Sequence, residues 1–125
     1  CQPLRLIASR SMDEEELAEY FPDGNAELVR LDVADDWGML LDHLGLRNIT
    51  CLLIEGGGEL AASALNAGVV DYVEFHIAPK LLGGRDSRPV LGGDDPESMA
   101  LARKLHRVKV THYGEDIAVS GFLKE

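Results

Sequence analysis

Thr50-Cys51-Leu52-Leu53-Ile54-Glu55-Gly56-Gly57-Gly58-Glu59-Leu60-Ala61 is the stretch that decides the fold. Five residues without a charge run straight into three glycines, and the pattern then becomes helical, with Leu60, Ala61, Ala64 and Leu65 on one side and Gly68 closing the element. An apolar run without alternation is the pattern of a parallel strand covered on both faces. The spacing therefore predicts a buried strand, a tight glycine turn and a helix, with Cys51 as a small core hydrophobe.

Upstream, Leu4-Arg5-Leu6-Ile7-Ala8 reads as a short strand, and a helix is expected over about residues 12–20 with Ser11 as N-cap and Glu14 at the capping-box position. Pro22-Asp23-Gly24-Asn25 is turn chemistry, and Ala26 to Leu31 follows as a second strand. Val33, Trp37, Leu40, Leu41 and Leu44 make the stripe of an amphipathic helix, with Gly45 as its stop. Downstream, a strand from about Tyr72 to Ala78 ends at Pro79. Residues 83–97 carry Gly83-Gly84, Pro89, Gly92-Gly93 and Pro96 and read as a long loop with one short helical turn after it. His106 to Thr111 and Ile117 to Phe122 flank the turn Tyr113-Gly114-Glu115-Asp116 and form an antiparallel hairpin. Strand and helix alternate first and a hairpin comes last, which gives an α/β sheet, mostly parallel, with an antiparallel edge.

At 125 residues, 46% of them hydrophobic, the chain is one domain at most and buries a real core. No apolar run approaches the roughly 20 residues that span a bilayer, and Cys1-Gln2-Pro3-Leu4-Arg5 lacks the layout of a signal peptide. The expected location is cytoplasmic. A start without Met is read as a piece of something longer. Two cysteines support neither a disulfide framework nor a cysteine zinc site. The formal charge of −10 argues against nucleic acid or an anionic membrane surface as partner, yet leaves room for an anionic cofactor held by local dipoles.

A helix that begins in glycines is a ready anion site, because its first amides have no intrahelical partners and its dipole is positive there. The spacing matches neither GxGxxG nor a Walker loop, so the residues alone leave a phosphate cradle and a plain tight turn both open. Glu55 stands at the carboxyl end of an apolar strand, where α/β sheets place their ligands, and is either a ligand acceptor or a solvated strand-end acid. Glu59 is favoured by the dipole in the first helical turn with or without a ligand, and its carboxylate is read as structural. His76 reads as a packed or edge histidine, and His43, His106 and His112 show no metal-ligand spacing.

Three motifs in order, Leu53 to Ala61, Leu65-Asn66-Ala67-Gly68-Val69-Val70-Asp71 and His76-Ile77-Ala78-Pro79-Lys80-Leu81-Leu82-Gly83-Gly84, closely resemble the reductase domain of the bifunctional riboflavin-biosynthesis deaminase/reductase. The resemblance reaches from about residue 26 to the end, and less securely back to residue 4. It implies a dihydrofolate-reductase-like fold, NADPH as cofactor, and reduction of the ribosyl group of 5-amino-6-(5-phosphoribosylamino)uracil to ribityl. It aligns Gly57, Gly58, Glu59, Leu60, Ala61, Ala62 and Ser63 with the family's cofactor-contacting turn and helix start, and Glu55 with its substrate-contacting acid. By analogy with the same fold, Ser9 and Arg10 would take the 2′-phosphate of NADPH. It also implies a homodimer, through the strand from about Val70 to Ala78 and the loop beyond.

Two departures bound these expectations. The first half of the family's domain has no counterpart, so residues 1–125 are expected to be its C-terminal part. The zinc-deaminase signature is absent. The rival readings are another reductase of this fold, against which Ala78 to Gly84 argues; a nucleotide-binding module without catalysis; and a structural fragment with an apolar strand edge exposed.

Overall fold

The computed structural model describes residues 3–9, 11–30 and 36–125. They fall into two compact units divided between Leu52 and Leu53.

In the first unit β1 (Arg5–Ala8) and β2 (Ala26–Val29) run parallel, with Arg5 opposite Ala26 and Ala8 opposite Val29. The connection is α1 (Glu14–Tyr20), which packs on β2 and buries Leu17. Its N-cap is Asp13, not Ser11 as expected: one Asp13 carboxylate oxygen accepts from the amides of Glu15 and Glu16, both at 2.9 Å, and the Glu16 carboxylate accepts from the Asp13 amide at 3.3 Å. A charged acceptor suits the positive end of the dipole better than a hydroxyl. The Ser11 amide is meanwhile tied to Ser9 Oγ at 3.3 Å.

The helix α2 (Asp36–Leu46) buries Trp37 and Leu44 and half-buries Leu40 and Leu41, as its stripe predicts, while Val33 lies outside the described residues. Gly45 does not stop it. The chain turns at Asn48, whose φ of +60° is left-handed, and the Ile49 and Asn48 amides donate back to the Leu44 and Gly45 carbonyls at 3.0 and 2.9 Å. That pair of bonds is a Schellman closure.

The second unit holds α3 (Gly58–Asn66), β3 (Tyr72–Ile77), a single 3-10 turn at Met99–Leu101, β4 (His106–Tyr113) and β5 (Asp116–Phe122). Gly68, at φ +69°, ends α3 with the same closure that Asn48 gives α2, as expected. The strands form one antiparallel sheet in the order β3-β5-β4, so the expected hairpin is present and its second strand is central. Gly114, at φ +65°, takes the first of two loop positions, where a tight hairpin turn needs a left-handed residue. In β4, Arg107 and Val108 together oppose Gly121, a β-bulge in which Arg107 adopts φ +50° and lays its guanidinium 4.4 Å from the centre of the Phe122 ring. The unit's buried residues include Ala62, Ala64, Ala118 and Ser120.

The fold is α/β with an antiparallel C-terminal hairpin, but its parallel part is confined to β1 and β2. Residues 50–54 form no strand: Cys51 is exposed rather than in the core, and Leu53 is 76% exposed. The division between the two units falls inside this run. No described strand pairs with it, and without a ladder on either side the run has no regular structure, with Leu52 and Ile54 half-buried and Cys51 and Leu53 exposed.

Candidate functional site

No side chain caps the amino end of α3. Gly57 is the N-cap, with extended backbone and no side chain to fold over the first turn, and its carbonyl accepts the first intrahelical bond from the Ala61 amide at 3.1 Å. The amides of Gly58, Glu59 and Leu60 thus have no acceptor within the helix. They point with the positive end of the dipole toward whatever approaches.

The three glycines do different work. A Cβ at Gly57 would meet nothing within 4 Å, so the space beside that residue is free. At Gly56 a Cβ would run into the Leu60 side chain. At Gly58 it would lie 2.8 Å from both the Gly92 amide nitrogen and the Pro89 carbonyl oxygen, because the loop passes backbone to backbone over the helix start. There the Gly92 amide donates to the Gly58 carbonyl at 3.0 Å, and the Gly93 amide donates to Glu59 Oε1 at 3.4 Å. Neither Gly92 nor Gly93 was singled out as a site residue by sequence; a glycine pair inside a long loop is the signal that marks them.

Among the other expected site residues, Leu60, Ala61 and Ser63 are half-buried on α3, and Ala62 is 7% exposed with its methyl close against Gly93. Glu55 is exposed at the end of the apolar run, and among the described residues its carboxylate makes no hydrogen bond or ion pair. Ser9 follows β1, and its hydroxyl oxygen accepts from the amides of Ser11 and Met12, at 3.3 and 3.0 Å. Arg10 lies outside the described residues. Arg30 donates to the Ser9 carbonyl and, at 2.6 Å, to the Met12 carbonyl, so both sides of that loop are tied down from β2's end. Nothing local in the sequence marks Arg30, whose partners are 18 and 21 residues away.

Several other ionisable groups have structural partners. His76 is an edge histidine on β3, bonded to Glu74 Oε1 at 2.9 Å and stacked on Tyr113. Glu27 and Arg47 form a two-pronged pair at 2.7 Å, and the hydrogen bond from Arg47 holds the Glu27 carboxyl below its ordinary value. The Asn25 amide, reinforced by the charge of Arg5, does the same for Asp23. A cavity of about 310 Å³ lies in the first unit between Leu6 and Leu28 on the sheet and Leu40 and Leu44 on α2, and touches none of residues 55–63. The Glu27–Arg47 pair is part of its lining. Among the described residues no group of three or more His, Cys, Asp or Glu could hold a metal, and no helix is long and apolar enough to cross a membrane.

Residues 1–119 match the family model of the RibD C-terminal domain. The chain is 37% identical over 118 residues to the riboflavin biosynthesis protein RibD of Actinobacillus pleuropneumoniae, covering 90% of this chain and 30% of that protein. It is 38% identical over 89 residues to a 2,5-diamino-6-ribosylamino-4(3H)-pyrimidinone 5′-phosphate reductase of Methanothermobacter thermautotrophicus, covering 71% of this chain and 41% of that protein. The chain thus spans well under half the length of either relative. Among solved structures it resembles Acinetobacter baumannii RibD, with a TM-score of 0.64 at 24% identity over 83% of this chain and 28% of that one, a likeness of fold.

Proposed function

The chain belongs to the RibD C-terminal domain family, and from that premise we propose that it is the cofactor-holding part of an NADPH-dependent reductase of riboflavin biosynthesis. Its substrate would be 5-amino-6-(5-phosphoribosylamino)uracil, reduced at the ribosyl group to the ribitylamino product. The observation that carries this reading is the uncapped start of α3, with free space beside Gly57, directly after an apolar run that ends in the unpartnered Glu55.

The donor set fits a pyrophosphate: unpaired amides at Gly58, Glu59 and Leu60, a positive helix end, and no side chain at Gly57 to keep an anion away. The bound cofactor supplies the hydride, and the work of this chain is positional. The first turn of α3 would hold the diphosphate. Glu55 would accept hydrogen bonds from the substrate's hydroxyl or amide groups and so orient it. Arg10 and Ser9 would take the 2′-phosphate, with Arg30 fixing the carbonyls of their loop.

Calorimetric titration with NADPH and with NADH tests the reading. NADPH is expected to bind more tightly, and Arg10→Ala to cost more affinity for NADPH than for NADH. Equal losses would remove Arg10 from the site, and no binding of either would remove the cofactor role from residues 1–125. The diaminopyrimidinone phosphate named for the Methanothermobacter relative is the natural competitor substrate in the assay, and preference for it would correct the substrate assigned above.

We also read the protein as a cytoplasmic homodimer formed through β3 and the loop after it, where Ile77, Leu81 and Leu82 are exposed. Sedimentation at the mass of one chain would overturn that.

A further inference from the structure

Glu59 poses a problem for a phosphate site. It sits in the first turn of α3, where its negative charge would repel the anion that the amides attract, and on electrostatics alone removing it should tighten binding. Its side chain is engaged elsewhere, however. Oε1 accepts from the Gly93 amide at 3.4 Å, and one residue earlier the Gly92 amide is bonded to the Gly58 carbonyl at 3.0 Å. These two bonds fasten residues 89–93 alongside the helix start at a separation only glycine permits, since a Cβ on Gly58 would come within 2.8 Å of two strap backbone atoms. Gly93 itself is left-handed at φ +76° with Ala62 against it, so a side chain there would be both strained and crowded.

We propose that Glu59 is a positioning residue: by holding the Gly93 amide it anchors the strap Pro89–Gly93 beside the first turn of α3, and the strap is the second wall of the cofactor site, opposite the open side at Gly57. The proposal rests on the reading that a nicotinamide dinucleotide phosphate binds at this turn. The acceptor oxygen does the anchoring and the charge is incidental. Glutamine, which keeps the oxygen, therefore retains the strap, and alanine releases it.

The test has two readouts. In the cofactor-free protein, amide hydrogen exchange at Gly92 and Gly93 is expected to quicken about five-fold in Glu59→Ala and to stay near wild type in Glu59→Gln, the size of one modest hydrogen bond. In titrations with NADPH, Glu59→Ala is expected to weaken binding about five-fold, against the electrostatic trend, while Glu59→Gln binds as well as wild type or better. Unchanged exchange in Glu59→Ala would overturn the anchor. Quickened exchange with equal or tighter NADPH binding would overturn the strap's part in the site. Failure of the wild type to bind NADPH would instead overturn the cofactor reading and with it the second wall, while the exchange data would still decide the anchor.

Discussion

Three successive glycines invite one explanation, and the structure requires three. Gly56 makes room for the Leu60 side chain, Gly58 makes room for a passing backbone, and Gly57 alone borders free space. Gly57 also has an ordinary extended conformation, φ −70° and ψ 172°, which any residue adopts. Gly57→Val should therefore lower the thermal midpoint by only about 4–8 °C, the cost of about 1 kcal/mol for a poorer N-cap residue, since no strain or clash attends it. If phosphate binds here, the same variant should lose at least about ten-fold in NADPH affinity, because the branched side chain would occupy the approach to the amides. An unchanged dissociation constant would sink the phosphate turn. The sequence could mark the glycines as a group but could not divide these roles, because the partner of Gly58 lies 34 residues downstream in a loop without regular structure.

At the scale of elements, periodicity located the helices, and the ambiguities arose where two local signals overlapped. Ser11 with Glu14 and Asp13 with Glu16 both satisfy the capping-box spacing, and the carboxylate prevailed. Asp13→Ala is expected to cost about 1 kcal/mol, measured by denaturant unfolding, whereas Ser11→Ala should cost less than about 0.5 kcal/mol. The reverse order would return the cap to Ser11. The choice between Gly45 and Asn48 was of the same kind: glycine is the commoner stop, yet Leu46 after Gly45 and Ile49 after Asn48 both offer the apolar residue that the closure needs, and the backbone closes at Asn48. The run at residues 50–54 differs in kind. Its composition declares an affinity for burial, whereas a ladder partner is a fact about other segments, and none of the described strands supplies one.

For the molecule as a whole, the response to acid can be traced to particular fixed carboxylates among the 22 Asp and Glu of the sequence. Asp23 and Glu27, both in the first unit, are held below their ordinary values of 3.8 and 4.5 by the Asn25 amide with Arg5, and by Arg47. A depressed folded-state value means that the stabilisation is complete above the ordinary value and is lost as pH falls through the lowered one. The protection factors of the β2 amides, which are exchange rates corrected for their intrinsic dependence on pH, should therefore fall as pH drops below the ordinary values of 3.8 and 4.5, and Glu27→Gln should flatten that dependence; an identical profile in the variant would mean that the Glu27–Arg47 pair contributes nothing. The bulge in β4 bears on how the molecule tolerates changes of length. Elsewhere in that strand the loss of one residue would turn every later side chain to the opposite face. Opposite Gly121, where Arg107 and Val108 share one partner, a single-residue deletion would leave His106 across from Phe122 and Lys109 across from Ser120. Members of the family that differ by one residue in this hairpin can thus keep the same sheet.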